Sequence, residues 1–339
     1  MLNPALQVED QTNTASLVVA LAEYARGFAI DDAGAIRTAR HFLIDGLGGG
    51  LAALRDPECA ALIGPLVPGC LMPGGARVPG TSLELDPAQA AFCTTLMLGR
   101  VASPGNWLRS GGAIGALLAV ADYQGRKAIM EGKPPPKVRD VLAGMIRTVE
   151  IEGVLATEDE TVRPARIAVT AVAAAQLGGG LQQIATALRY ACGGGMQPDT
   201  DGRHVIGGTD WTGDRADDWV DDWAKADAIA LAVRHACQAM AAGSGYLTHP
   251  AAVDLAGRRL GAGSWSPGKS FGTAIIDRLT ASRGPLDAAE VTQRFNSAVD
   301  RHFPARQSER IRTLFAAPER LDDLPVNELL AVLVTNGAR

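Results

Sequence analysis

The chain has 339 residues, of which 47% are hydrophobic and 20% charged, with only five lysines and a net charge of −5. That is enough material for one large or two medium domains with a real core, and the charge argues against a nucleic-acid footprint. No apolar run is long enough to span a bilayer and no basic-then-apolar start signals secretion, so a cytoplasmic protein is expected.

Helical periodicity dominates the chain in order. "TASLVVALAEYARGF" puts Ala20, Leu21 and Tyr24 on one stripe with Leu17, and "DDAGAIRTARHFLIDGLGGGLAAL" follows with Asp31 or Asp32 as its N-cap. The glycines at 46 and 48–50 of that segment make sense only where another helix packs very close. The five-proline run "GPLVPGCLMPGGARVPGTSLELDP" is a long loop, after which Asp86-Pro87 starts a helix with a cap and a first-turn proline. "GRVASPGNWLRSGGAIG" is also a loop, carrying Arg100 and Arg109. Helices are predicted at 113–131, 137–156, 163–177, 181–192, 217–242, 273–282, 287–301, 304–315 and 325–334. "EGKPPPKVRD" is an exposed turn between two of them. Strand signals are weak throughout, and no repeat or interdomain linker stands out.

The residues offer little chemistry by themselves. The cysteines at 59, 70, 93, 192 and 237 show no paired spacing and are expected as buried free thiols, with no metal site. In "TDWTGDRADDWVDDWAKAD" the aspartates at 217, 218, 221 and 222 repeat at i, i+4, which a cation could relieve. The simpler reading is a solvated helix N-terminus with Trp219 and Trp223 as the buried stripe. "CGGGMQPDTDGRHVIGGTD" matches no phosphate-binding fingerprint. Of five histidines, His41 and His235 sit in apolar helical patterns, and His204 and His249 lie in loops where acid–base work is conceivable.

The run "PGGARVPGTSLELDPAQAAF", Pro73 to Phe92, closely resembles the MmgE/PrpD family, the family of 2-methylcitrate dehydratase. The similarity continues through "HFLIDGLGGGLAAL", "GALLAVADY", "VLAGMIRTVEIEGVLA" and "AKADAIALAVRHA", and resumes in "FNSAVDRHFPARQSERIRTLF" and "RLDDLPVNELLAVLV". The resemblance implies a large all-helical domain, a smaller α/β lid, a homodimer and, in active members, a cofactor- and metal-independent carbon–oxygen lyase acting on tricarboxylic acids. Such chemistry needs a base and cations to hold carboxylates.

This chain departs from the family where that chemistry is expected. Ala102, Ser103, Pro104 and Gly105 stand where the dehydratases carry aspartates. Arg109 stands near the expected histidine, followed by Gly112 and Ala113. "EDETVRPARIAV" is a contracted version of the segment with a second histidine, and Asp217 falls at the active-site lysine. After "KSFGTAIIDRLTASRG" the chain passes from Gly284-Pro285 directly to the C-terminal helices, where a lid is expected. The resemblance therefore implies a mainly α fold without the lid. It is one helical domain over 1–339, in which 1–283 is the large-domain part and 284–339 returns to it. The expected function is a catalytically inactive or altered relative that binds a polycarboxylate through Arg77, Arg109, Arg203, His204 and Lys269, or that pairs as a homodimer or with a full-length paralogue. The alternatives are an active lyase with a rebuilt site and a ligand-free interaction protein.

Overall fold

The computed structural model describes residues 18–27, 29–99, 107–155, 162–193, 216–242 and 287–335. They form a helical assembly: α1 (18–27), α2 (Ala33–Ala53), α3 (Pro57–Leu62), α4 (Pro87–Gly99), α5 (Trp107–Met130), α6 (Val138–Leu155), α7 (Val162–Gln176), α8 (Leu181–Gly193) and α9 (Ala216–Ala242). The C-terminal set is α10 (Ala288–His302), α11 (Ala305–Phe315), α12 (Pro318–Asp323) and α13 (Val326–Val332). The only strands among the described residues are β1 (Ala76–Arg77) and β2 (Glu84–Leu85), an antiparallel pair with Ala76 opposite Leu85. The fold is mainly α.

Aspartates start four of the helices, α2, α3, α4 and α10. Asp32 accepts from the amides of Gly34 and Ala35 at 2.7 and 3.0 Å, Asp56 caps a helix opening on Pro57, and Asp287 caps α10. Asp86 accepts from Ala88 and Gln89 at 3.0 and 3.1 Å ahead of Pro87. Each such bond satisfies an amide that the helix cannot, at roughly 1 kcal/mol per cap.

α4 is the central helix. It is apolar all round and buried along nearly its whole length, packed between α5 and α9, with α7 behind them. Small residues let the backbones close in. A Cβ on Gly115 of α5 would stand 2.3 Å from Thr95 Oγ1 of α4, and one on Gly48 of α2 would stand 3.0 Å from Phe295 Cα of α10. Gly115 meets Thr95 and Gly144 meets Leu117, while two further pairs, Gly144 with Val172 and Arg166 with the Ala191 carbonyl to which it donates, lie about equidistant from the connections between their helices. α6, α7 and α8 therefore run as successive antiparallel neighbours.

α10 lies along α2, pinned by Phe295 over Gly48 and by Arg294–Asp45 at 2.8 Å. Arg40 of α2 makes a bidentate pair with Asp322 of α12, and the amides of Val138 and Val326 donate to Leu324 and Pro136.

Three expectations change. α5 begins at Trp107 rather than 113, so Arg109 belongs to a helix and not to a loop. The glycines at 112 and 115 lower its helix propensity, but they are where Ile229 and Thr95 pack, and tertiary contact prevails. Trp223 is 48% exposed rather than part of a buried stripe, a role taken on α9 by Ala226, Ile229, Val233 and Ala236. Cys70 is exposed, whereas Cys59, Cys93 and Cys192 are buried. The small hairpin lies in the run read as a long loop, and the short helices α3 and α12 lie in stretches for which no element was predicted. The helix predicted at 273–282 lies outside the described residues.

Candidate functional site

The stretch 74–81 folds back on itself and is tied to two distant parts of the chain. Gly75 abuts the Leu85 carbonyl so closely that a Cβ there would lie 2.2 Å away, and Gly80 holds a φ of +77°. From α5, Asp122 reaches up to the hairpin. Its carboxylate accepts from the Arg77 amide at 2.8 Å, Nε at 3.1 Å and Nη2 at 2.5 Å, while Nη2 also donates to the Asn327 carbonyl of α13. Arg126, one turn further along α5, pairs with Glu84 at 2.8 Å and donates to the Gly75 carbonyl. The Gly80 amide donates to Leu333 at 2.7 Å, and the Gly80 carbonyl lies 2.6 Å from His302 Nε2.

The electrostatics of this clamp follow from burial. Asp122 is fully buried, and desolvation pushes its carboxyl up in spite of the Arg77 guanidinium. For Glu84, partial burial pushes upward, but Arg126 and the Gly74 amide outweigh it and hold the carboxyl below its usual range.

A second arrangement lies at the other end of α5. Gly99, the last residue of α4, faces the start of α9: a Cβ on it would stand 3.4 Å from Asp222 Oδ1. Asp222 pairs with Lys225 at 3.9 Å, and Trp223 sits edge-on to Phe92 at 6.0 Å between ring centroids. The end of the helix preceding the 100–106 segment and the acidic start of α9 thus meet in space, although more than a hundred residues separate them.

The MmgE/PrpD N-terminal domain matches residues 19–252. This chain belongs to the MmgE/PrpD family. It is 37% identical over 241 residues to 2-methylcitrate dehydratase of Salmonella typhi, covering 68% of this chain and 48% of that protein. It is 36% identical over 241 residues to the enzyme of Escherichia coli K12, with the same coverage. The mitochondrial 2-methylcitrate dehydratase of Yarrowia lipolytica is 39% identical over 193 residues. The match spans about half the length of the curated relatives.

Of the predicted site residues, the structure places Arg77 in the clamp, with its guanidinium committed to Asp122 and Asn327. Arg109 stands in the first turn of α5. Thirteen residues separate it from Asp122, about 20 Å of helix, so Arg77 and Arg109 are not brought together. The side chain of Arg109, and all of Arg203, His204 and Lys269, lie outside the described residues, as do His249 and the predicted departures at 102–105. The alignment position given to the family lysine, Asp217, falls in the first turn of α9, on the helix that Gly99 abuts.

Sequence reasoning missed Asp122, Arg126 and Glu84. A signal was available, since Asp122 is the lone acid in "GALLAVADY", and an acid on an apolar helical stripe calls for a buried cation. His235 is 8% exposed and tilted against Tyr190 at 6.2 Å, with Nδ1 unbonded. Burial, and then the nearby Arg166 and Arg234, push its imidazole down to about 4. Among the described residues no group of His, Cys, Asp and Glu could hold a metal ion, and no helix is long and apolar enough to cross a membrane.

Proposed function

We propose that this MmgE/PrpD protein is a shortened relative of 2-methylcitrate dehydratase that does not dehydrate 2-methylcitrate. Its helical domain instead holds a polycarboxylate in the cytoplasm, alone as a homodimer or paired with a full-length relative. The observation that carries the reading is the meeting of Gly99 with Asp222. The resemblance puts the aspartate–histidine loop next to the first of these residues and the lysine on the helix of the second. Here Ala102, Ser103, Pro104 and Gly105 take the place of the aspartates, and the described cation nearby, Lys225, is i+3 from a carboxylate. A proton abstraction beside a carboxylate needs a base on one side of the substrate and cations on the other, each general acid or base supplying ~10²–10⁴-fold. With several of these groups replaced together, most of the rate enhancement goes, although their effects are not additive. Carboxylate binding is less demanding, and Arg109, Arg203, His204 and Lys269 are the cations assigned to it.

Turnover of 2-methylcitrate and of cis-aconitate, measured beside a full-length dehydratase, tests the reading. No turnover is expected from the wild type, together with a rise in melting temperature in millimolar citrate, since a ligand that binds the folded state stabilises it by mass action. Robust turnover abolished by Arg109→Ala/His204→Ala would establish a rebuilt active site instead. A flat melting temperature would leave only the pairing role.

A further inference from the structure

α11, α12 and α13 line a cleft of about 480 Å³. Its floor is aliphatic: Leu314 of α11 is buried, and Leu324 and Val332 pack half-buried against the core. Its rim carries both signs of charge, with Glu309 and Arg310 from α11, Arg320 from α12 and Glu328 from α13, all four exposed. Arg310 and Leu314 share a face of α11, and Glu328 and Val332 share one of α13, so each helix offers the cleft a charge beside an apolar side chain. The walls are fixed. The Leu324 carbonyl accepts from the Val138 amide at 2.9 Å, the Val332 carbonyl accepts from Gln307 Nε2 at 2.9 Å, and Phe315 packs tilted on Phe295 at 4.4 Å between ring centroids. A preformed cleft of this size, apolar below with a few polar groups converging at its mouth, is the form that small-molecule sites take.

Neighbouring charges find partners: Arg312 pairs with Asp300 at 3.2 Å, Asp323 with Lys137 at 2.9 Å, and Asp322 with Arg40. The four on the rim make no ion pair within 4.0 Å among the described residues. We propose that this cleft binds a small aliphatic zwitterion of about dipeptide size, its carboxylate on Arg310 and Arg320 and its ammonium on Glu309 and Glu328. Charge selects the class. The rim is neutral in sum, so a polycarboxylate loses beside two carboxylates what it gains from two guanidiniums, and a polyamine meets the converse. A molecule with one charge of each sign satisfies both pairs, and an arginine takes a carboxylate in bidentate geometry. The floor covers its apolar body. This inference does not rest on the polycarboxylate reading, which uses other cations.

Isothermal titration of the full chain with leucyl-leucine tests it. Saturable binding is expected, with a dissociation constant below ~1 mM. N-acetylation removes the ammonium, C-terminal amidation the carboxylate, and diglycine the apolar body; each is expected to weaken binding about tenfold or more. The variants Arg310→Gln/Arg320→Gln and Glu309→Gln/Glu328→Gln are expected to raise the dissociation constant by a similar factor. Because all four positions are exposed, their unfolding midpoints are expected to match that of the wild type, and so is any response of the midpoint to citrate. No saturable heat at millimolar leucyl-leucine, or binding that either double variant retains in full, overturns the inference. Acetylated or amidated peptide that binds as well as the free one overturns the zwitterion class. Citrate that displaces the dipeptide, or a citrate response lost with Arg310 and Arg320, makes the cleft a polycarboxylate site and overturns it as well.

Discussion

Replacing Arg77 by methionine separates a residue that holds the fold from one that holds a ligand. The Asp122 carboxylate is fully buried and takes its hydrogen bonds from Arg77 Nε, Nη2 and the Arg77 amide. Methionine preserves the packing of the stem but leaves a buried carboxylate with one N–H. Removing one side of a buried pair costs ~3–5 kcal/mol; the retained amide and the option of protonation put Arg77→Met at the lower end, about 3 kcal/mol. The pH dependence has a definite sign. Burial already pushes Asp122 up, and loss of the guanidinium pushes it further. The folded pKa then exceeds the unfolded value of ~3.9, so the unfolded chain releases its proton first and stability falls as pH rises through the folded pKa. Urea unfolding followed by circular dichroism is expected to show a loss that is larger at pH 7 than at low pH. Arg77→Met/Asp122→Leu is expected to recover most of the loss, since no buried charge remains. A loss at pH 7 below about 1 kcal/mol, together with abolished citrate binding, would refute the clamp and return Arg77 to the ligand site.

Gly115→Ala should lower stability by ~1–3 kcal/mol, because its Cβ would lie 2.3 Å from Thr95 Oγ1 and 2.8 Å from the Thr95 amide, where backbone rather than a flexible tip must yield. Gly27→Ala, with nothing within 4 Å, should change the unfolding midpoint little and serves as the control. His235 is held down to about 4 by burial and by Arg166 and Arg234, so between pH 6.5 and about 4 the unfolded chain binds a proton that the folded chain refuses. Stability is therefore lost as pH falls through that window, by up to ~3 kcal/mol. In His235→Phe this part of the slope in unfolding free energy against pH should vanish.

How far the sequence carried depended on whether a feature is local. Asp32, Asp86-Pro87 and the 3.6-residue stripes are set by residues within a turn of one another, and the helices they announce are present at nearly the expected bounds. The crowded glycines of α2 were readable as a close approach, but their partners, Phe295 and Met97, were not, because nothing local encodes which helix comes near. The start of α5 failed for the same reason: its small residues look like a loop until Ile229 and Thr95 are seen against them. The candidate site was legible as a set of substitutions within a family motif. Its geometry was not, since the encounter of Gly99 with Asp222 joins segments remote in sequence.

The residues that identify the family are also the ones that hold this fold. In "PGGARVPGTSLELDP", Gly75 and Gly80 permit the tight return, Arg77 locks Asp122, Glu84 takes Arg126, Gly80 seats the C-terminal segment, and Asp86 caps the central helix. These constraints are steric and electrostatic requirements of a packed interior, and a change at any one is felt throughout the assembly. Segments 100–106 and 156–161 stand apart from these residues in sequence. The resemblance puts the family's aspartates at 102–105, one histidine near Arg109, a second within 158–169 and the lysine at Asp217. A helical domain can thus keep an unmistakable family signature while its capacity for chemistry changes independently. Membership of the MmgE/PrpD family is therefore secure for this chain on grounds that say nothing about turnover, and activity has to be measured at the helix ends rather than inferred from the clamp.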